Sequence, residues 1–236
     1  MKKIILLLLI MPAISSAQLK NTIKKAISKT PTVSAIDISN ALKEALDKGI
    51  KKQVVKLTQE DGFYKNELVK IVLPEELQKV DTRLRQIGLS SLADEGILLL
   101  NRAAEDAVKE ATPIFVDAIK NMTFTDAKNI VLGQENAATN YLQSTTSVAL
   151  YASFNPVIKN SLAKVGAEKI WNQIITKYNG IPLVKKINPD LAEYTTNKTL
   201  VGVYKMIALE EKEIRTNLTS RNSDLLKKVF ALQDKK

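Results

Sequence analysis

Residues 99–112 read LLNRAAEDAVKEAT. On a wheel of 3.6 residues per turn, extended back to Ile97, this stretch puts Ile97, Leu100, Ala104, Val108 and Ala111 on one face and Arg102, Asp106, Lys109 and Glu110 on the other. That is the pattern of an amphipathic helix packed on a core. Asn101, Glu105 and Thr112 form a row along the border between the faces. An amide and a carboxylate at such a border need partners once the helix packs, because an unpaired buried polar group is costly. Two readings of the row are open: an internal polar network that sets how helices register, or the lining of a ligand cleft.

The same periodicity recurs on both sides. In SNALKEALDKGIKKQVVKL, residues 39–57, the positions Leu42, Ala45, Leu46, Ile50, Val54 and Leu57 follow three- and four-residue steps. Ser39 or Asn40 is placed to cap this helix, and its end is expected near Thr58. QEDGFYKNELVKIVLP, residues 59–74, carries an Asp61-Gly62 turn signal and an apolar run before Pro74, which predicts a loop with at most one short strand or hairpin. Beyond it, a helix is predicted over 74–87, and another over 92–121 that Pro113 should bend or divide. A short helix opens on a capping box of Thr123 and Asp126 and stops at Gly133. ENAATNYLQSTTSVALYA, residues 135–152, begins the next, and a separate helix is expected from Pro156 to about Tyr178. After an irregular connection, Asn188 should cap a helix reaching about Leu218, and a terminal helix should follow Ser223.

Only 8 Gly and 7 Pro occur in 236 residues, too few for the turns of a many-stranded sandwich. The expected fold is therefore all-α: a single compact bundle of about eight to ten helices over residues 36–236. Residues 18–35 are expected to be flexible or loosely helical. The first seventeen, MKKIILLLLIMPAISSA, have the parts of a secretory signal: Lys2 and Lys3, an apolar run from Ile4 to Met11, and the small Ser15 and Ala17 before a cut at Gln18. The run is shorter than the about 20 residues a membrane span needs. The expected product is a soluble periplasmic or secreted protein with no transmembrane segment after cleavage.

The chain has 35 Lys and Arg against 25 Asp and Glu; losing Lys2 and Lys3 with the signal leaves a formal charge of +8. Such a surplus favours anionic partners, among them lipid headgroups and acidic envelope polymers. The basic residues are dispersed among acids without a stripe interleaved with aromatics, so no nucleic-acid partner is expected.

Neither His nor Cys occurs. This excludes Ser-His-Asp and Cys-His catalysis and argues against a zinc site, and no phosphate-cradling glycine motif is present. No catalytic residue, metal ligand or cofactor is assigned. The candidate binding or internal polar residues are Asn101, Arg102, Glu105, Thr145, Glu211 and Arg215. Glu211 falls inside an apolar stripe of Leu200, Val203, Tyr204, Ile207, Ile214 and Leu218, so it requires a partner, with Arg215 four residues on or Arg102 the natural choices. Thr145 falls on the apolar side of its helix, where a Thr can bond a carbonyl one turn back.

In order along the chain, SNALKEALDKGI, DGFYKN, ILLLNRAAEDAV, PIFVDAIKNMTFTDAKNIVLG, AATNYLQSTTSVAL, LVGVYKMIALEEKEIR and SDLLKKVF resemble a bacterial family catalogued as domain of unknown function 4197. The resemblance implies an exported, mainly helical protein and assigns no activity to any residue. The leading functional expectation is a non-catalytic envelope module that binds a protein or an anionic ligand. Two alternatives are a carboxylate-dependent hydrolase of envelope glycan, with Glu105 or Glu211 as general acid, and a carrier of lipid or another small ligand.

Overall fold

Ser34, rather than Ser39 or Asn40, opens the first helix. Its hydroxyl accepts from the Asp37 N–H at 3.0 Å, while the Asp37 carboxylate accepts from the Ser34 N–H at 3.1 Å. This reciprocal box satisfies two donors that a helix start leaves unpaired, so the helix begins there and Ser39 and Asn40 lie within it. Helix α1 is Ala35–Thr58, and all six of its expected core positions are buried.

The architecture comes from a computed structural model that describes residues 33–234 except 76, 77, 79–81, 83, 84, 87, 89, 184 and 189. The expected signal and the segment 18–32 lie outside the described residues. After α1 come α2 (Ser90–Val108), α3 (Ala111–Asn121), α4 (Phe124–Val131), α5 (Ala137–Lys164), α6 (Ala167–Asn179), α7 (Leu191–Thr216) and α8 (Asp224–Phe230). Of the helix expected over 74–87, Gln78, Thr82, Arg85 and Gln86 are helical and several neighbours lie outside the described residues. Among the described residues there is no strand. Residues 34–236 form one compact unit.

Helices α5 and α7 run antiparallel as the central pair: Ala138 meets Glu211, Thr146 meets Tyr204, and Asn155 meets Thr196. Along this pair pack α2 and the connecting helix α6, while α1 lies on α7 with α3, α4 and α8 around it.

Pro113 divides the long helix as expected. It lacks an N–H and its ring crowds the carbonyl four residues back, at Lys109, where the helix breaks before α3 resumes at Ala111. Pro156 behaves differently. Helix α5 runs straight through it and ends only at Lys164, ahead of Gly166 with φ +68. The boundary expected at Pro156 is therefore wrong by eight residues. Ala152, whose carbonyl loses its donor, is exposed to water, and the row Leu150, Phe154, Ile158 and Leu162 stays buried across the proline. Continuous packing outweighs one lost hydrogen bond.

Helix α7 begins two residues later than expected. Asp190, not Asn188, is its N-cap, accepting from the Glu193 N–H at 2.8 Å; Asn188 instead accepts from the Asp190 N–H and presets the turn. At the other end α7 stops at Thr216, and Leu218, expected in its stripe, is exposed in a short 3₁₀ turn. The terminal helix α8 starts after Ser223 as expected and docks on α1, with Lys228 bonded to Asp37 at 2.8 Å.

Candidate functional site

The border row of α2 is turned onto the loop at 59–73. Asn101 is fully buried and reads both backbone groups of Ile71: its Oδ1 accepts from the Ile71 N–H and its Nδ2 donates to the Ile71 carbonyl, each at 2.8 Å. The same Nδ2 donates to the Ile97 carbonyl at 2.7 Å. Glu105, 4% exposed, accepts from the N–H groups of Phe63 and Tyr64 at 3.0 and 3.3 Å through Oε1 and from Arg102 Nη1 at 2.6 Å through Oε2. Arg102 also donates to Asp61 at 2.7 Å. Hydrogen bonds from Lys65 first, then Arg102, hold the Asp61 carboxyl below the usual carboxylate range, and Glu105 first, then Asp61, raise the Arg102 guanidinium.

The loop is seated from its other side by α7. Phe63 and Val69 press on Gly202, where an added Cβ would come within 2.9 Å of the Phe63 ring and 3.2 Å of Val69 Cβ. Only a residue without a side chain admits the loop this close.

The second cluster joins helix ends. Glu211 accepts from the N–H groups of Ala138 and Thr139 at 2.9 and 2.8 Å and from the Thr139 hydroxyl at 2.8 Å. These are the first donors of α5, whose own N-cap Asn136 supplies no side-chain bond. A carboxylate from α7 thus caps α5, at the positive end of its dipole. Arg215 is the partner that Glu211 takes, at 2.9 and 2.7 Å, and it also donates to the Ile130 carbonyl at the end of α4 at 2.9 Å. One ion pair therefore ties the end of α4 and the start of α5 to α7.

Glu105 and Glu211 have separate partners, and Arg102 serves only the first cluster. Thr145 belongs to neither. It is exposed and bonds back to the Tyr141 carbonyl at 2.8 Å, which corrects its placement on the apolar side. The buried neighbour is Thr146, which donates to the Leu142 carbonyl at 2.6 Å and shares a 2.8 Å bond with the Tyr204 hydroxyl. Since Thr146 spends its one hydrogen on Leu142, Tyr204 is the donor. Burial pushes the Tyr204 phenol up, and its ring meets Phe115 edge-on at 6.2 Å.

Sequence reasoning missed Arg221. Its side chain is 2% exposed, donates to the carbonyls of Ile214 and Arg215 at the end of α7, and grips Asp234 with two bonds of 2.6 and 2.9 Å. No periodicity marks it, because it sits in a turn. It also missed Asn179, which binds both backbone groups of Ile187 at 2.7 and 2.8 Å, as Asn101 binds Ile71.

Among the described residues, no group of three or more carboxylates is placed to hold a metal ion, and no helix is long and apolar enough to cross a membrane. The fold and these clusters define an all-helical protein whose internal charges serve as joints between chain segments. The chain belongs to the family described as "Protein of unknown function (DUF4197)", which it matches over residues 32–231. No curated protein and no solved structure matches it.

Proposed function

We propose that this chain works in the bacterial cell envelope as an exported, non-catalytic helical module that binds a protein or an anionic ligand at its surface. One observation carries the reading: the internal carboxylates best suited to chemistry are spent on the fold. Glu105 accepts three hydrogen bonds and Glu211 five, all from the chain's own groups. Neither oxygen pair is left to face a substrate, which speaks against a hydrolase built on them. The cleft beside Glu211, walled by Leu42, Leu46, Ile50, Ile207, Ile214 and Phe230, holds about 30 Å³. That is room for about two water molecules, and it speaks against an acyl chain carried there. The secretory features of residues 1–17 and the basic surplus support an envelope location and an anionic partner.

Native mass spectrometry of protein purified gently from its own host, before and after denaturation, tests the reading. A bound mass lost on denaturation identifies the ligand, and a bare chain directs the search to protein partners by crosslinking in intact cells. Cleavage of purified cell-wall glycan by the wild type, abolished in Glu105→Gln or Glu211→Gln, would overturn it.

A further inference from the structure

The exposed side of α7 carries a regular line. Lys198, Val201, Lys205, Ala208 and Lys212 follow one another by three, four, three and four residues, with Leu209 beside them. The three lysines are exposed, as are Val201, by 64%, and Leu209, by 41%. From Lys205 to Lys212 the line floors a groove of about 660 Å³ whose far wall is the turn at 134–136, ahead of α5. There the side chains of Lys205 and Lys212 form no hydrogen bond or ion pair with any described residue. Lys198, beyond the groove, lies over the Tyr194 ring at 5.6 Å, a contact that leaves its charge in place. The acids of this part of α7 do not answer the lysines: Glu210 is held by Lys52 and Gln53, Glu211 by Arg215, and Glu213 by Asn217 and Ser220. Of the residues lining the groove, Glu135 alone is acidic, and it sits on the far wall.

Two cations with an apolar side chain between them, in a concave floor, specify an occupant. Steps of three and four residues are those along which a second helix packs at a shallow angle. From Lys198 to Lys212 the line is about 21 Å long, the reach of a docked helix and not of a compact anion. A single phosphate or carboxylate would also leave Leu209 uncovered. A second copy of this chain would set lysine against lysine along the line, and a concave floor does not suit the plane of a bilayer. We propose that this face of α7 is a docking site for an acidic amphipathic helix of a partner protein. Its Asp or Glu side chains, repeating every seven residues, meet Lys198, Lys205 and Lys212, and its apolar side chains between them cover Val201 and Leu209. Opposite charges fix the register, and the apolar contacts add affinity. This inference rests on reading the chain as a surface-binding module and names the surface and its partner.

The test is fluorescence anisotropy with the chain from Gln18 onward, which contains the whole compact unit 34–236. The probe is a synthetic Ala-rich helix of about 20 residues with Glu at every seventh position and Leu three residues after each. The wild type is expected to bind it and to release it as salt rises. Lys205→Gln with Lys212→Gln should weaken binding about fivefold, and Leu209→Ala by about as much from lost apolar burial. Glu135→Gln should tighten it about twofold by removing a like charge. Lys159→Gln with Lys164→Gln, which removes exposed lysines outside the groove, should leave it unchanged. All four positions in the groove are exposed, so these variants should melt with the wild type, and weakened binding is then not a loss of fold. No binding by the wild type, equal losses for the two lysine pairs, or undiminished binding by Leu209→Ala overturns the proposal. Equal binding of a peptide with the same residues in scrambled order also overturns it, since the face then reads charge alone; so does capture by phosphatidylglycerol vesicles in place of the peptide. A chain that ignores the peptide but crosslinks to an envelope protein through another face keeps the module reading and loses only this inference.

Discussion

The two charged clusters use the same residue types, one helical turn apart, and put them to opposite uses. In the first, Arg102 precedes Glu105 by three residues and keeps 31% of its side chain exposed; in the second, Arg215 follows Glu211 by four and keeps 6%. Glu105 faces a loop and holds it by two successive N–H groups. Glu211 faces the start of another helix and takes the place of that helix's own cap. A Glu and an Arg at helical spacing therefore do not define a site by themselves: what they join is decided by which chain segment arrives opposite, and how costly they are to disturb is decided by how dry the second partner is.

That contrast can be broken experimentally. Arg215→Ala leaves the Glu211 carboxylate buried without its cation and frees the Ile130 carbonyl, so a loss of about 3–5 kcal/mol is expected in urea unfolding. Asn101→Leu should come next. It strands the N–H and carbonyl of Ile71, with an expected loss of about 2–3 kcal/mol and faster proteolytic cutting within residues 59–73. Arg102→Ala, at the wetter pair, should lose about 1 kcal/mol or less. Equal losses for the two arginines would show that exposure does not separate the clusters.

Acid gives the smallest and most local effect. The Asp61 carboxyl is held below its ordinary value, so its contribution is complete above the unfolded-state pKa of about 3.9 and is lost as pH falls through the lower folded value. Protection of the Phe63 and Tyr64 amides, relative to their intrinsic exchange rates at each pH, should accordingly fall below about pH 4, and less so in Arg102→Ala, where part of the cause of the shift is gone.

Much of this was written in the sequence. The buried face of α1, the Thr123–Asp126 box, and the need of Glu211 for Arg215 all follow from spacing within one helix. Thr145 was misplaced because, apart from Thr139 beside the helix start, the buried positions of α5, from Ala138 through Leu142, Thr146, Leu150, Phe154 and Ile158 to Leu162, step by four. Each such step overshoots a full turn by about 40°, so the row winds around the helix and a fixed wheel loses it. Packing along four-residue ridges favours steeply crossed neighbours, and no single face of α5 records them all. Arg221 and Asn179 were illegible for another reason: their partners are turn carbonyls and loop backbone, which carry no side-chain pattern. The border row of α2 announced that Asn101 and Glu105 needed partners but could not name Ile71, Phe63 and Tyr64.

The cap that α7 lends to α5 also sets a timetable. Glu211 lies 73 residues beyond the Ala138 N–H it satisfies, and the Arg221–Asp234 grip closes later still. A chain released N-terminus first has the start of α5 bare until most of α7 has emerged, and contacts of such long span form late. Ribosome-bound intermediates ending before Arg215 should thus stay loose and protease-sensitive until nearly all of the chain has been made.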